Sequence, residues 1–185
     1  MLYLLRHGET NYNVEGRYQG SSNSPLTLKG KQQAKENAFK LKNSINNFNN
    51  IIIYSSPQKR AKESAFILVD NLGISRDKIV FDKRLREISY GIFEAETKDY
   101  CQKNYPNIFK AREDDKWFYK IDGGESYQEA TIRVREWLST LDKSKIIIAI
   151  THEMINRVIR KEYQNLSISR ALSLRQANWE IIELH

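Results

Sequence analysis

The sequence predicts an α/β fold, a three-layer sandwich in which a mainly parallel central sheet is flanked by helices. Short apolar runs, largely β-branched, recur at residues 3–5, 51–54, 78–81 and 146–150, as in strands buried on both faces. Between these runs the apolar positions move to helical spacing, and strands alternating with helices assemble as a parallel sheet covered by helices. Polar and charged residues follow three of the runs directly, at the sheet edge where such folds bind ligands.

The elements follow in order. After the first strand, Thr27 is placed to N-cap a helix carrying Ala34, Ala38, Leu41 and Ile45 on one face. An Asn-rich turn spans 43–50. Ser56-Pro57 reads as an N-cap followed by a proline in the first helical position, ahead of Ala61, Ala65, Leu68 and Leu72. Ser126 and Glu129 form a capping-box pattern before Ala130, Val134, Trp137, Leu138 and Leu141. A further helix is expected over 156–163 and a last, edge strand over 179–184. Trp117, Phe118 and Tyr119 follow a charged run and are read as a lid element. No repeat, linker or low-complexity tail divides the chain, so 1–185 is expected to be a single domain.

Composition narrows the function. The net charge of +7 favours anionic ligands. The basic residues are scattered, without the stripe interleaved with aromatics that a nucleic-acid surface needs, and no nucleic-acid partner is expected. The single cysteine, Cys101, excludes an intrachain disulfide and a cysteine-based zinc site and suits a cytoplasmic setting. The N-terminal apolar run is too short for a signal peptide, and no stretch is long enough to span a bilayer. The sequence gives no signal for an oligomeric state.

Chemistry is concentrated after the strands. The first run leads into Arg6-His7, the second into Ser55-Ser56 and Arg60, and the fourth into Thr151-His152. Two imidazoles and two guanidiniums thus converge on one edge, with Arg60 in a helix first turn whose free N–H groups also favour an anion. Guanidinium forks suit phosphoryl oxygens, and an imidazole is able to attack phosphorus.

The motifs are ordered along the chain: Arg6-His7-Gly8-Glu9-Thr10 with Asn13; Gly16-Arg17, Gln19-Gly20 and Pro25-Leu26-Thr27; Ser55-Ser56-Pro57 with Arg60-Ala61; Leu85, Glu87, Gly91 and Glu94; Gly123-Gly124-Glu125-Ser126; and Thr151-His152. In these the chain resembles the histidine phosphatase superfamily, in its phosphoglycerate-mutase-like branch, over nearly its whole length. The resemblance implies a phosphoglycerate-mutase-like fold and a cofactor-independent, metal-independent phosphomonoesterase acting on small phosphorylated metabolites. His7 would be the nucleophile that becomes phosphohistidine and Glu87 the general acid and base. Arg6, Arg60 and His152 would clamp the phosphoryl oxygens, Asn13 would complete the pocket, and Gln19 and Gly20 would border the substrate. His7 would need an acceptor for one ring N–H, a role a nearby backbone carbonyl plays in the family. Gly8 would let backbone approach the ligand, and a neighbouring phosphate would raise Glu87 so that it arrives protonated.

The chain departs from the family at Glu153, where glycine usually follows the second histidine. Its side chain would repel substrate if it pointed inward, or would leave the backbone N–H available if it pointed away. Two other readings stand beside the phosphatase. One is a 2,3-bisphosphoglycerate-dependent mutase, disfavoured by the short stretch between Glu94 and Gly123. The other is a catalytically weak phospholigand-binding protein. An ordinary ion pair with Arg84 or Arg86 is the alternative use for Glu87, and Arg133 and Arg135 are read as solvated.

Overall fold

The computed structural model describes residues 1–185. Five strands, β1 (Leu2–Arg6), β2 (Ile51–Ser55), β3 (Ile79–Phe81), β4 (Ile146–Thr151) and β5 (Ile181–Leu184), form one sheet in the order β3-β2-β4-β1-β5. All neighbours are parallel except β5, which runs antiparallel to β1 at the edge. The eight helices are α1 (Asn11–Glu15), α2 (Leu28–Ser44), α3 (Lys59–Leu72), α4 (Lys98–Asn104), α5 (Pro106–Asp114), α6 (Tyr127–Ser139), α7 (Glu153–Gln164) and α8 (Ile168–Ser173). None is long and apolar enough to cross a membrane.

Strand alternation builds two cores. Tyr3, Leu5, Ile53, Ile148 and Ile150 face α2 and α3, and pack on Ala38, Leu41, Ala61, Ala65 and Leu68. Leu2, Leu4, Ile147 and Ala149 face the other way, onto Val134 and Trp137 of α6 and Ile155, Val158 and Ile159 of α7. The period of two in a strand splits its residues between the faces, so near-continuous apolar runs are what a doubly covered sheet requires.

Several helix ends follow the sequence reading. The Thr27 hydroxyl accepts from the Gly30 N–H, and Ser126 with Glu129 forms a complete capping box. Other expectations are corrected. The α3 N-cap is Gln58, not Ser56, and Pro57 lies before the helix, leaving the Ser56 hydroxyl for another task. The helix expected over 156–163 begins at Glu153, directly against the strand end. Trp117 is not part of a lid: it is buried, stacked at 5.0 Å and 15° on Tyr127, with its indole N–H on Gln128 Oε1 at 3.1 Å. A large aromatic just past a helix end gains more by joining the core than by remaining in solvent. Arg133 is likewise not solvated; it binds Glu125 through two bonds of 2.7 Å and is partly buried.

Candidate active site

Register places the site. Arg6 pairs with Thr151 across β1 and β4, and Ser55 with Ile150 across β2 and β4. His7 and His152 therefore leave β1 and β4 at one level, and Ser56 leaves β2 one residue lower, level with Thr151. The His7 and His152 rings lie 5.2 Å apart, and His152 Nε2 is 2.8 Å from the Ser56 hydroxyl. His7 Nδ1 lies 2.7 Å from the Gly8 carbonyl. A carbonyl only accepts, so Nδ1 carries the proton and Nε2 keeps its lone pair. Burial, then the charges of Arg60 and Arg6, hold the His7 pKa well below its usual value, so the ring is neutral near pH 7.

The main chain around His7 is fastened from both sides. The Gly8 N–H donates to Ser64 Oγ at 3.0 Å, and Asn178 Nδ2 donates to the His7 carbonyl at 2.6 Å. Gln176 Nε2 donates to Leu4 O at 2.9 Å, and its own backbone carbonyl accepts from Arg6 Nη1 at 3.0 Å. The demand for glycine at position 8 has a different origin from the one expected. A Cβ there would lie 2.2 Å from the Gly30 carbonyl, so the constraint is close packing against the start of α2.

Arg60, from the first turn of α3, is almost fully buried. Its Nη atoms donate to the carbonyls of Ser22 (3.0 Å), Gln19 (3.1 Å) and Gly20 (2.8 Å). It lies beneath the 19–22 loop rather than open to the cleft, and bears on His7 through its charge. Glu94 holds the same loop from the other side, accepting from the N–H groups of Gly20, Ser21, Ser22 and Tyr90 at 2.8–3.2 Å. Gly20 has no room for a side chain: a Cβ would lie 2.1 Å from the Ile88 carbonyl. Gln58 links loop and acid, donating to Gly20 O at 2.6 Å and accepting from the Glu87 N–H at 2.9 Å.

Glu87 is buried, and its carboxylate accepts from the N–H groups of Ile88 (3.0 Å) and Met154 (3.2 Å). Neither Arg84 nor Arg86 is its partner. Arg84 pairs with Asp82 and Glu136, and Arg86 donates to Lys83 O. Burial raises the Glu87 pKa to about 7, against the lowering influence of Arg60 and of its two backbone bonds. The rise expected from a bound phosphate is therefore already supplied by desolvation.

Above this floor opens a cleft of about 400 Å³ lined by Arg6, His7, Asn13, Gln19 and Glu87. His152 and Arg60 stand behind it. Asn13 is also structural: its Oδ1 accepts from the Thr10 N–H at 3.1 Å, completing the α1 cap. Four buried nitrogens of the expected set, Arg6 Nε, Gln19 Nε2, Arg60 Nε and His152 Nδ1, have no hydrogen-bond partner within the protein. Buried N–H groups are normally paired, and the unpaired donors of Arg6 and Gln19, which line the cleft beside a neutral imidazole, suit an anion. Further out, Arg17, Lys98, Arg112, Lys116, Arg157 and Arg175 line the cleft, with Glu113, Glu153 and Glu87 the carboxylates. Glu153 points into the cleft, its oxygens 2.9 Å from Arg6 Nη1 and 2.6 Å from Arg157 Nη2.

Sequence reasoning missed Gln58, Ser64, Gln176, Asn178 and the outer cations. Glu94 was visible as a motif residue, but its loop-holding bonds were not. The other residues act through contacts between segments far apart in the chain, which no local pattern announces.

Known proteins agree with this architecture. The family model of the histidine phosphatase superfamily, branch 1, matches residues 2–185, and the chain belongs to that superfamily. It is 32% identical over 184 residues to the fructose-2,6-bisphosphatase of Saccharomyces cerevisiae, covering 100% of this chain and 37% of that protein. It is 37% identical over 139 residues to the Escherichia coli (O1:K1 / APEC) protein "Probable phosphoglycerate mutase GpmB", covering 75% of this chain and 61% of that one. The chain thus spans between about a third and three fifths of the length of these relatives. Among solved structures, Bacillus stearothermophilus YhfR superposes with a TM-score of 0.80 at 30% identity, covering 94% of this chain and 84% of that one. A mycobacterial glucosyl-3-phosphoglycerate phosphatase shares the fold, with a TM-score of 0.83 at 24% identity, covering 97% and 88%.

Proposed function

We propose that the chain is a phosphomonoesterase that works through a phosphohistidine on His7 and acts on a small phosphorylated metabolite with a second, remote anionic group. The neutral His7, held as the Nδ1–H tautomer with Nε2 free, is the observation that supports the mechanism most strongly. Nε2 attacks phosphorus, the P–O bond to the leaving group breaks, and Glu87 gives its proton to the departing oxygen. Glu87, now a carboxylate, takes a proton from water as that water displaces the imidazole, and phosphate is released. Arg6 and the charge of Arg60 offset the charge on the phosphoryl oxygens, the main demand of this reaction. With two guanidiniums in that role, the chemistry calls for no metal.

The outer cleft supports the substrate class. Arg112, Lys116, Arg157 and Arg175 stand beyond the reacting centre, where a single phosphate on a small alcohol would not reach. A sugar bisphosphate, of the kind named in the Saccharomyces relative, meets both ends. The mutase reading rests on the Escherichia coli relative alone. A purely binding role leaves the raised acid and the free imidazole nitrogen unexplained. Hydrolysis of p-nitrophenyl phosphate with EDTA present, by wild type and His7→Ala, tests the proposal. Turnover lost only in the variant is expected; equal turnover in both would remove the mechanism.

A further inference from the structure

We propose that Glu153 is a specificity-determining residue. Its carboxylate admits phosphoesters whose phosphate-bearing carbon carries only neutral hydroxymethyl substituents and refuses those that carry a carboxylate there. This rests on the phosphatase reading above and adds a substrate rule to it.

Placement is the first argument. Glu153 is the first residue of α7, directly after His152, and its carboxylate lines the cleft. It lies one guanidinium away from the reacting centre, because Arg6, which it binds at 2.9 Å, is the neighbour of His7. Groups attached next to the phosphoester therefore meet Glu153, whereas the outer cations meet groups farther out.

Rigidity is the second. Glu153 cannot swing out without breaking two charge-assisted bonds to guanidiniums that are themselves anchored. Arg157 donates Nε to Leu174 O at 2.8 Å and Nη1 to the Tyr127 hydroxyl at 3.0 Å. Arg6 donates Nη1 to Gln176 O at 3.0 Å. Such bonds are the strong members of their class, and the Arg157 side chain is only 6% exposed.

Valence is the third. An ionised carboxylate only accepts hydrogen bonds, and its two oxygens offer about four lone-pair sites. One guanidinium bond on each oxygen leaves a site on each for a ligand hydroxyl. A ligand carboxylate brings no proton and sets a second negative charge against the first, at a carboxylate that is itself largely withdrawn from solvent. The outer cations still welcome a remote anion, so the refusal is local.

Glycerol 2-phosphate and 2-phosphoglycerate test this directly, since they differ only in a hydroxymethyl group replaced by a carboxylate on the phosphate-bearing carbon. In wild type, kcat/KM should favour glycerol 2-phosphate by at least about tenfold, the effect of one charge-assisted bond gained or lost. Glu153→Gln should reduce that preference to about threefold or less, on the same scale. A wild-type ratio near one overturns the proposal without any variant. A variant that slows both esters and p-nitrophenyl phosphate equally overturns it too, because a residue that merely holds Arg6 and Arg157 would do that. Absence of p-nitrophenyl phosphate turnover in wild type would defeat the phosphatase reading itself. In that case the ratio of calorimetric Kd values for the same two esters decides on Glu153: a clear preference for glycerol 2-phosphate upholds its selectivity, and equal values overturn it.

Discussion

The floor of the cleft and its outer wall are built in opposite ways. The floor hangs on strand ends: the ladder register sets His7 level with His152 where β1 and β4 end, and Ser56 at the end of β2 one residue below. Main-chain bonds from Ser64, Asn178 and Gln176 then leave it little freedom. The wall consists of side chains from scattered segments: Arg17 after α1, Lys98 of α4, Arg112 of α5, Lys116 beyond it, Arg157 of α7 and Arg175 after α8. Lys98 and Lys116 are long and flexible, and Lys116 pairs with Glu113 only at the surface. In the proposed function the floor carries the reaction and the wall selects what undergoes it.

Breaking the floor should have the largest effect. His7→Ala removes the attacking nitrogen and is expected to reduce kcat by roughly 10⁴-fold or more, the scale of nucleophile loss in enzymes with covalent intermediates. Thermal unfolding should change little, since Nδ1 bonds only the neighbouring carbonyl. Glu87→Gln should lower kcat on alkyl phosphates by about 10²- to 10⁴-fold, and less on p-nitrophenyl phosphate, whose leaving group needs little protonation. Equal losses on both would mean that Glu87 is not the acid.

The same residue sets a pH signature. A general acid must be protonated, and with its pKa raised to about 7 Glu87 is protonated below that pH and ionised above it. The kcat/KM for an alkyl phosphate should therefore fall as pH rises through about 7, and Glu87→Gln should lack this limb. His7 adds no limb near neutrality, because its pKa is held well below the usual value.

The wall should answer more gently and more selectively. Arg112→Ala or Lys116→Ala is expected to raise KM for a sugar bisphosphate by about tenfold, the loss of one charge-assisted contact, and to leave p-nitrophenyl phosphate nearly unchanged. A uniform change on both substrates would place these residues in the fold rather than in recognition. Glu94→Gln should be felt first in the fold and only through it in catalysis. It keeps one acceptor oxygen but sets an amide NH2 against the N–H groups that the other oxygen accepts from, so a fall in melting temperature should accompany a raised KM.

The contrast also explains what the sequence could tell. The floor was legible because strand ends, histidines and motif spacing are all local features, and the register aligns them. Thr27, Ser126 and Glu129 were legible for the same reason, since a cap joins residues three apart. Trp117 was misread because a charged run before it resembled a surface segment, while its partner Tyr127 lies on another element. Arg60 was found, but not its burial beneath the loop carbonyls, which depends on Glu94 and Gln58 holding that loop. The direction of Glu153 was undecided until Arg157 stood one turn farther along α7 with its guanidinium anchored to Leu174 and Tyr127.

The central claim is that phosphorus passes through His7. Enzyme mixed briefly with ³²P-labelled substrate and quenched in alkali should carry a label that survives alkali and is lost in acid, as a phosphohistidine does. The label should be absent from His7→Ala. Labelled wild type and unlabelled variant is the predicted result. Wild type that turns over substrate yet never carries label under rapid quench, or a variant that labels equally, would contradict it.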